Sequence, residues 1–515
     1  MKKKSLVCLL LCLALLLIGC SNKNKPSEPT NKEPVVDQNV LPTATRTPVE
    51  KLDISTVTYE AEDAKLTGKV NVQSAVSGFS GTGYITGIEE DDDTVEFTVN
   101  AEKEGFYRLN IRSASLGGEK TNNVLVDGTP VATFTVSSKE FTNCLVENIY
   151  LGVGTHTVII EKSWGWIMID SLVVSAAKPI DPSIYEVPAK LVNENATDAT
   201  KRLMSFLTDI YGSYFLSGQY SDMGQYGGEF VVIKKETEKM PAVLGLDFIE
   251  YTPSRVENGS TSKATEYAID YWERGGIPTF CWHWNAPTEY ITGVWYSAFY
   301  TDQTNIDIEK IMNGQDQVGY DLLIRDIDAI AEQIKVLQDA GVPILWRPLH
   351  EASGGWFWWG AKGPEAYKKL YILLYDRLTN HHKLNNLIWV WNGQNKDWYP
   401  GDEYVDMIGE DIYPGEQVYT SQINKFLEAV NYTTEKKMVV LSENGCLFDP
   451  DLAYRDGAMW GLFATWGGEF VKKGGAIHAI SEQYTDREML KKVYQHDKVL
   501  TLDELPDIKT YQIHE

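Results

Sequence analysis

The chain has 515 residues, room for about two or three domains, and 43% of them are apolar, which excludes a globally disordered polymer. With 47 Lys and Arg against 72 Asp and Glu the net charge is -25, which excludes a general grip on nucleic acid or anionic lipid. Its 15 Trp and 28 Tyr must pack in a core or present flat faces to something that stacks on them, and a sugar ring is one such partner.

Residues 1–19 read as a targeting segment. Lys2, Lys3 and Lys4 precede an apolar run over 6–18, too short to span a bilayer, and Leu17-Ile18-Gly19-Cys20 follows. This Leu-x-Gly-Cys pattern resembles the bacterial lipobox. The resemblance implies cleavage before Cys20, lipidation of Cys20, and an extracellular, cell-surface lipoprotein of a bacterium that meets the membrane only through its N-terminal lipid anchor. Residues 20–55, rich in Pro, Thr, Asn, Lys and Glu, are expected to form a disordered tether. Beyond them stand Cys144, Cys281 and Cys446, which lack Cys-x-x-Cys spacing and read as free, half-buried thiols; one bridge, such as Cys281 to Cys446, stays open.

Over residues 56–176 short runs alternate apolar and polar side chains, at 94–99, 107–112, 123–126 and 156–161, and no helical stretch interrupts them. The pattern predicts an all-β, jelly-roll-like sandwich, with Asp127-Gly128 as a turn between two strands. Tyr59-Glu60-Ala61-Glu62-Asp63-Ala64 near its start and Trp164-Gly165-Trp166-Ile167-Met168-Ile169-Asp170 near its end resemble carbohydrate-binding module family 35. The resemblance implies glycan binding, a structural Ca2+ held by Glu60, Glu62 and Asp170, and ligand contacts from Trp164 first, then Tyr84 and Asn122. The acidic run 89–93 reads as a solvated turn, with a second cation site as the alternative.

A linker over 177–184 leads into residues 185–510, where strand-like runs at 214–219, 242–248, 278–284, 343–351, 387–392, 406–413, 438–443 and 460–466 alternate with helical patterns such as 320–339 and 365–379. This α/β pattern predicts a (β/α)8 TIM barrel. A doubly wound open sheet is the alternative; it is disfavoured because no run carries the Gly-rich phosphate turn of nucleotide folds.

Catalytic groups of such barrels project from the C-terminal ends of strands. The fourth run ends Trp346-Arg347-Pro348-Leu349-His350-Glu351, followed by Gly354-Gly355-Trp356-Phe357-Trp358-Trp359-Gly360; the seventh ends Ser442-Glu443-Asn444-Gly445. An isolated Glu there is more simply a surface carboxylate. Two of them across the barrel mouth, beside cations and aromatic rings, fit a retaining glycosidase, in which one protonates the leaving oxygen while the other attacks the anomeric carbon. Residues 185–510 resemble glycoside hydrolase family 26, best known for endo-β-1,4-mannanase. The resemblance implies Glu351 as general acid/base and Glu443 as nucleophile. It also implies a Tyr413 hydroxyl on the nucleophile, His283 in the glycone subsite, and Trp356 and Trp466 as stacking platforms. His350 stands where related barrel families carry Asn, and Arg347 either positions a carboxylate or sugar hydroxyl or pairs inside the barrel. No cofactor is expected for catalysis, since the eight His form no His-Glu-x-x-His cluster. The expected partner is a β-mannan-type polysaccharide met by a monomer. A β-1,3-1,4-glucanase of the same family and a non-catalytic surface glycan-binding lipoprotein remain the alternatives.

Overall fold

The computed structural model describes residues 50–163, 165–474 and 479–514; the targeting segment, Cys20, almost all of the tether and Trp164 lie outside the described residues. Among the described residues no helix is long and apolar enough to cross a membrane.

The N-terminal region is a sandwich of two antiparallel sheets. One contains β1 (Val57–Glu60), β3 (Asn71–Gln73), β4 (Tyr84–Thr86), β6 (Gly105–Ala114), β9 (Thr142–Leu151) and β11 (Met168–Ala176). The other contains β2 (Lys65–Thr67), β5 (Thr94–Ala101), β7 (Lys120–Val126), β8 (Thr129–Val136) and β10 (Gly154–Lys162). The two-residue pleat sends Val95, Phe97 and Val99 of β5, Tyr107, Leu109 and Ile111 of β6, and Val158 and Ile160 of β10 into the space between the sheets. Each such burial contributes about 1.5–3 kcal/mol relative to exposure. Asp127 and Gly128, at φ 50° and 80°, make the tight turn between β7 and β8, in the left-handed region that matches strand twist. The acidic run is only partly a solvated turn. Asp93 is buried, and its carboxylate accepts hydrogen bonds from the main-chain N–H of Lys69 (2.6 Å), Glu89 (2.9 Å) and Glu90 (2.7 Å), which fold the turn around it.

The C-terminal region is a closed parallel barrel. Its strands are β13 (Gly218–Tyr220), β14 (Val243–Asp247), β15 (Ile277–Trp282), β16 (Ile344–Pro348), β17 (Leu387–Trp391), β18 (Met407–Ile412), β19 (Met438–Asn444) and β20 (Phe463–Thr465). Closure through Gln219 beside Thr465 excludes the open sheet. Each of the eight expected runs overlaps a barrel strand, and the first and the last keep the smallest share of their length in it. In the first, β12 (Phe215–Leu216) leaves the barrel and pairs with β21 (Val499–Leu500), drawn there by Ser217, whose N–H and Oγ both donate to the Leu500 carbonyl. In the last, only three residues reach ladder geometry. The helix Gln317–Asp339 starts at Asp316, whose side chain accepts from Gly319 N, and lays Leu323, Ile327, Ile330, Ile334 and Leu337 on the barrel. Cys144, Cys281 and Cys446 are free and fully buried, not half-buried, so no bridge joins Cys281 and Cys446.

Sandwich and barrel touch directly. Ala177 N donates to Phe106 O (3.0 Å), extending the sandwich ladder into the connecting segment, and Tyr185 Oη donates to Gly457 O (2.6 Å) on the barrel. Glu147 N donates to Asn424 Oδ1 (3.1 Å), and the Arg455 guanidinium lies 4.0 Å over the ring of Tyr150.

Candidate active site

A cleft of about 990 Å3 opens at the C-terminal ends of the barrel strands, lined by Glu351, Glu443, His283, His350, Trp356, Tyr413 and Trp466 among others. All of these came from the sequence. Arg347 lies just beneath, wholly buried.

Glu443 projects from the last turn of β19. Its Oε2 accepts from Arg347 (2.6 Å), and its Oε1 accepts from the Tyr413 hydroxyl. Gly445 makes room for that hydroxyl's ring: a Cβ there would stand 2.5 Å from the Tyr413 ring. The glycine of the Ser-Glu-x-Gly motif therefore has a packing reason, independent of backbone angle. Arg347 carries a second load, since its other nitrogen pairs with Asp411, and it also donates to Tyr220 Oη (3.2 Å). The choice left open for Arg347 thus resolves toward carboxylate pairing inside the barrel mouth.

Glu351 follows β16 with φ 52°, as does Leu349, and this left-handed backbone turns its side chain toward Glu443. One oxygen from each of Glu351, Asp411 and Glu443 lies within 4.8 Å of the other two. Burial and then the Glu443 charge push the Glu351 carboxyl above the usual range, against a 2.8 Å hydrogen bond donated by Trp356 Nε1. Burial also pushes Asp411 well up, although Arg347 opposes it.

A histidine pair forms another wall of the cleft. His283 Nδ1 contacts Asp247 Oδ2 at 2.6 Å, and the two Nε2 atoms of His283 and His350 are 3.2 Å apart. Burial works against charge on His283, but Asp247 outweighs it and raises the imidazole; burial and the Arg347 charge push His350 well below the usual range. Of the two rings, His350 is therefore the one held neutral. Aromatic faces surround this core. Trp466 lies 4.9 Å from Tyr220 and 5.6 Å from His283, and half-exposed Trp356 stands at the rim beside Tyr300, which stacks on Phe357.

Asp411, Asp247, Asn392, Tyr220 and Ser442 were missed. Asp247 is the terminal polar residue of the run 242–248 and Asn392 that of the run 387–392, so reading the terminal polar residue of every run would have found both. Asp411 is followed by Tyr413 in its run, and Tyr220 lies one residue past the run 214–219; neither carries a motif.

Of the sandwich residues, Tyr84 and Asn122 lie apart, whereas Glu60, Glu62 and Asp170 meet around Ser80 and Gly81, with Ser80 Oγ donating to Glu60 Oε2 (2.8 Å) and Asp170 Oδ2 (3.1 Å). Tyr84 is buried between Phe79 and Phe141, so it is no surface ligand platform. Asn122 is wholly buried and accepts from Gly165 N (3.2 Å), a role in shaping the loop. The exposed ring of this loop is Trp166, 59% accessible, with Lys120 Nζ 5.1 Å over it. Glu60 and Glu62 converge near Gly81, where a Cβ would meet Glu62 Oε1 at 2.3 Å and Glu60 Oε2 at 3.2 Å. Asp170, fully buried, is turned onto Arg112 and Ser80.

Comparison with known proteins agrees with this geometry. The model of glycosyl hydrolase family 26 matches residues 192–504, and that of carbohydrate binding module family 35 matches residues 57–177. A mannan endo-1,4-beta-mannosidase from Thermothelomyces thermophilus is 40% identical over 89% of this chain and 92% of its own length. Mannan endo-1,4-beta-mannosidase B from Piromyces is 37% identical over 88% of this chain and 79% of its own. Among solved structures, the Podospora anserina GH26-CBM35 beta-(1,4)-mannanase superposes with a TM-score of 0.62 at 40% identity, covering 88% of this chain and 99% of that one. A ruminal GH26 endo-beta-1,4-mannanase gives 0.63 at 30% identity, over 89% and 99%. A catalytic barrel matched over most of its length, a matched front module and a solved relative with both in one chain leave one assignment: this chain belongs to glycosyl hydrolase family 26 and carries a family 35 carbohydrate-binding module.

Proposed function

We propose that the protein is a retaining endo-β-1,4-mannanase that hydrolyses mannan, glucomannan or galactomannan by double displacement. The observation that carries this is the approach of Glu351 and Glu443 to within 4.8 Å, close to the roughly 5–5.5 Å of retaining enzymes and short of the 6.5–9.5 Å that leaves room for the water of inversion. Relatives named for this activity over nearly the whole chain support the substrate. Glu351, its carboxyl raised by burial and the Glu443 charge, starts protonated. As its proton passes to the glycosidic oxygen, the bond from that oxygen to the anomeric carbon breaks and an oxygen of Glu443 bonds to the carbon. Glu351, now a carboxylate, takes a proton from water; the water oxygen bonds to the anomeric carbon and Glu443 leaves. Arg347 and Tyr413 hold the nucleophile's oxygens in place throughout.

The front module raises local substrate concentration, with Trp164 and exposed Trp166 as its candidate stacking rings. A structural Ca2+ fits Glu60 and Glu62, because Glu62 Oε2 is buried without a hydrogen-bond partner and a hard cation satisfies such an oxygen. Asp170 joins only by giving up part of its pairing with Arg112. Bound Ca2+ would tie strand β1 to the loop before β4. The Leu-x-Gly-Cys pattern supports surface anchoring through Cys20, and the protein acts as a monomer.

The test is product analysis by chromatography with protein lacking residues 1–20, offered galactomannan, glucomannan, lichenan and xylan. A ladder of manno-oligosaccharides from galactomannan, lost in Glu443→Ala while that variant is still retarded by mannan in an affinity gel, is expected. Products from lichenan alone would move the substrate to mixed-linkage glucan, and silence on all four would end the enzymatic reading. EDTA is expected to lower the melting temperature of the same protein; an unchanged value removes the calcium.

A further inference from the structure

We propose that Asn392 is a positioning residue that locks the acid/base arm of the site to the nucleophile arm, a proposal that rests on the roles given above to Glu351 and Glu443. Asn392 directly follows β17 and is wholly buried. Its Oδ1 and its main-chain oxygen both accept from Glu351 N, at 3.0 and 2.8 Å. Its Nδ2 donates to Asp411 Oδ1 and to Ser442 Oγ, each at 2.8 Å. Asp411 in turn pairs with Arg347, and Arg347 donates to Glu443 Oε2 at 2.6 Å. One amide thus spans the distance between the two carboxylates through fixed groups.

Its chemistry explains why an amide stands there. Both ends are committed, so the amide has one orientation: turned over, NH2 would face the Glu351 N–H and the oxygen would face the Asp411 carboxylate. Aspartate would set a second carboxylate against Asp411, and alanine would leave Glu351 N with the main-chain oxygen alone. Glu351 also sits at φ 52°, a left-handed conformation that strains a residue with a side chain and persists only where the surroundings over-determine it. Asn392 is the side chain that grips the N–H of that strained residue. The nucleophile, by contrast, is held directly by Arg347 and Tyr413 and is reached from Asn392 only through Asp411 and Ser442. Losing the amide therefore loosens the acid/base arm far more than the nucleophile arm.

That asymmetry separates a positioning role from a merely structural one. A dinitrophenyl β-mannobioside has a leaving group that departs without a proton, so kcat/KM on it does not need the acid, whereas kcat/KM on mannan does. Asn392→Ala in the full catalytic chain is expected to lose about 100-fold in kcat on mannan with KM little changed, the scale of a 1 Å misplacement, and to keep a kcat/KM near the parent's on the aryl substrate. Glu351→Ala, run beside it, must show the same split. Should Glu351→Ala lose both substrates equally, the acid/base assignment falls and the proposal with it. Should Glu351→Ala split while Asn392→Ala loses both equally or neither, Asn392 is no positioning residue. If Asn392→Ala fails to fold, Asn392→Ser, which keeps a small polar group at that point of the chain, is read by the same two substrates with the same expected split, and equal losses overturn the proposal.

Discussion

In the proposed mechanism two glutamates at one barrel mouth do opposite jobs, one donating a proton and the other attacking carbon, and their neighbours differ accordingly. Glu443 receives two hydrogen bonds, one from a permanent cation, while Glu351 receives only the indole N–H of Trp356 and faces the Glu443 charge. Burial and that charge raise the Glu351 carboxyl, and the indole bond pulls it down. The acid form is the one that donates, so activity is full below the raised value and is lost as pH rises through it. Trp356→Phe keeps an aromatic face but removes the N–H that favours the ionised form, so Glu351 holds its proton to higher pH. The alkaline limb of the kcat profile on galactomannan is expected to move upward, with KM increased by a weaker platform. A limb that stays in place or moves down would show that Glu351 does not set it.

At the scale of elements, adjacent residues of one strand face opposite ways, and β18 uses this to put two acids in two environments. Glu410 points outward under the helix Ile423–Val430, and Asp411 points into the barrel mouth. The ladder between β18 and β19 slips here: Glu410 lies beside Leu441, but Asp411 lies beside Glu443, and this irregularity brings Asp411 alongside the nucleophile. Glu410 has a different fate, 2% exposed with Oε1 unpartnered, its carboxyl pushed up by burial to about 7. A folded value above the unfolded one, about 4.3, means that its contribution to stability is fully present below the unfolded value and is lost as pH rises through about 7. Glu410→Gln carries no such loss, so it is expected to melt higher than the parent at about pH 8, by at most about 3 kcal/mol in stability, with the gain absent at about pH 4. Equal melting temperatures at the alkaline end would mean that the charge is solvated. The same element shows where sequence reading stopped. Alternation and motif placed all eight strands and the residues named by the Trp-Arg-Pro-Leu-His-Glu and Ser-Glu-x-Gly segments, because those signals are local. Asp411 escaped because its role depends on a register slip, which leaves no local pattern; Asn392 ends its run, but its contact with Glu351 lies 41 residues away and left its role unread.

At the scale of the whole molecule, two domains that were legible one by one are joined through contacts that were not. Tyr150, Asn424 and Arg455 lie far apart in sequence and belong to no motif, yet they meet across the sandwich and barrel. The Arg455 guanidinium lies 4.0 Å over Tyr150, whose hydroxyl is held by Glu104 (2.5 Å), and its Nε is held by Asp456 (2.6 Å), so both partners of the stack are oriented before they meet. A partly desolvated pair of this kind contributes about 1–2 kcal/mol. Around it, Leu52 and Phe106 of the sandwich face Ile180, Tyr185 and Gly457 across a small cavity, and Pro179 and Pro182 stiffen the segment between them. The module is therefore held at a set angle to the cleft. Because both partners of this stack are held in place from their own domains, one reversal of charge there is expected to release the junction. Arg455→Glu places a carboxylate over the ring face and beside Asp456 and Glu104, all repulsive. The parent is expected to melt in one calorimetric transition and to give a compact solution-scattering profile; the variant is expected to melt in two steps and to scatter with a larger radius of gyration, while turnover of short manno-oligosaccharides, which involve only the barrel, is kept. A variant that still melts in one step with the parent's scattering profile would show that the junction is held by something other than this pair.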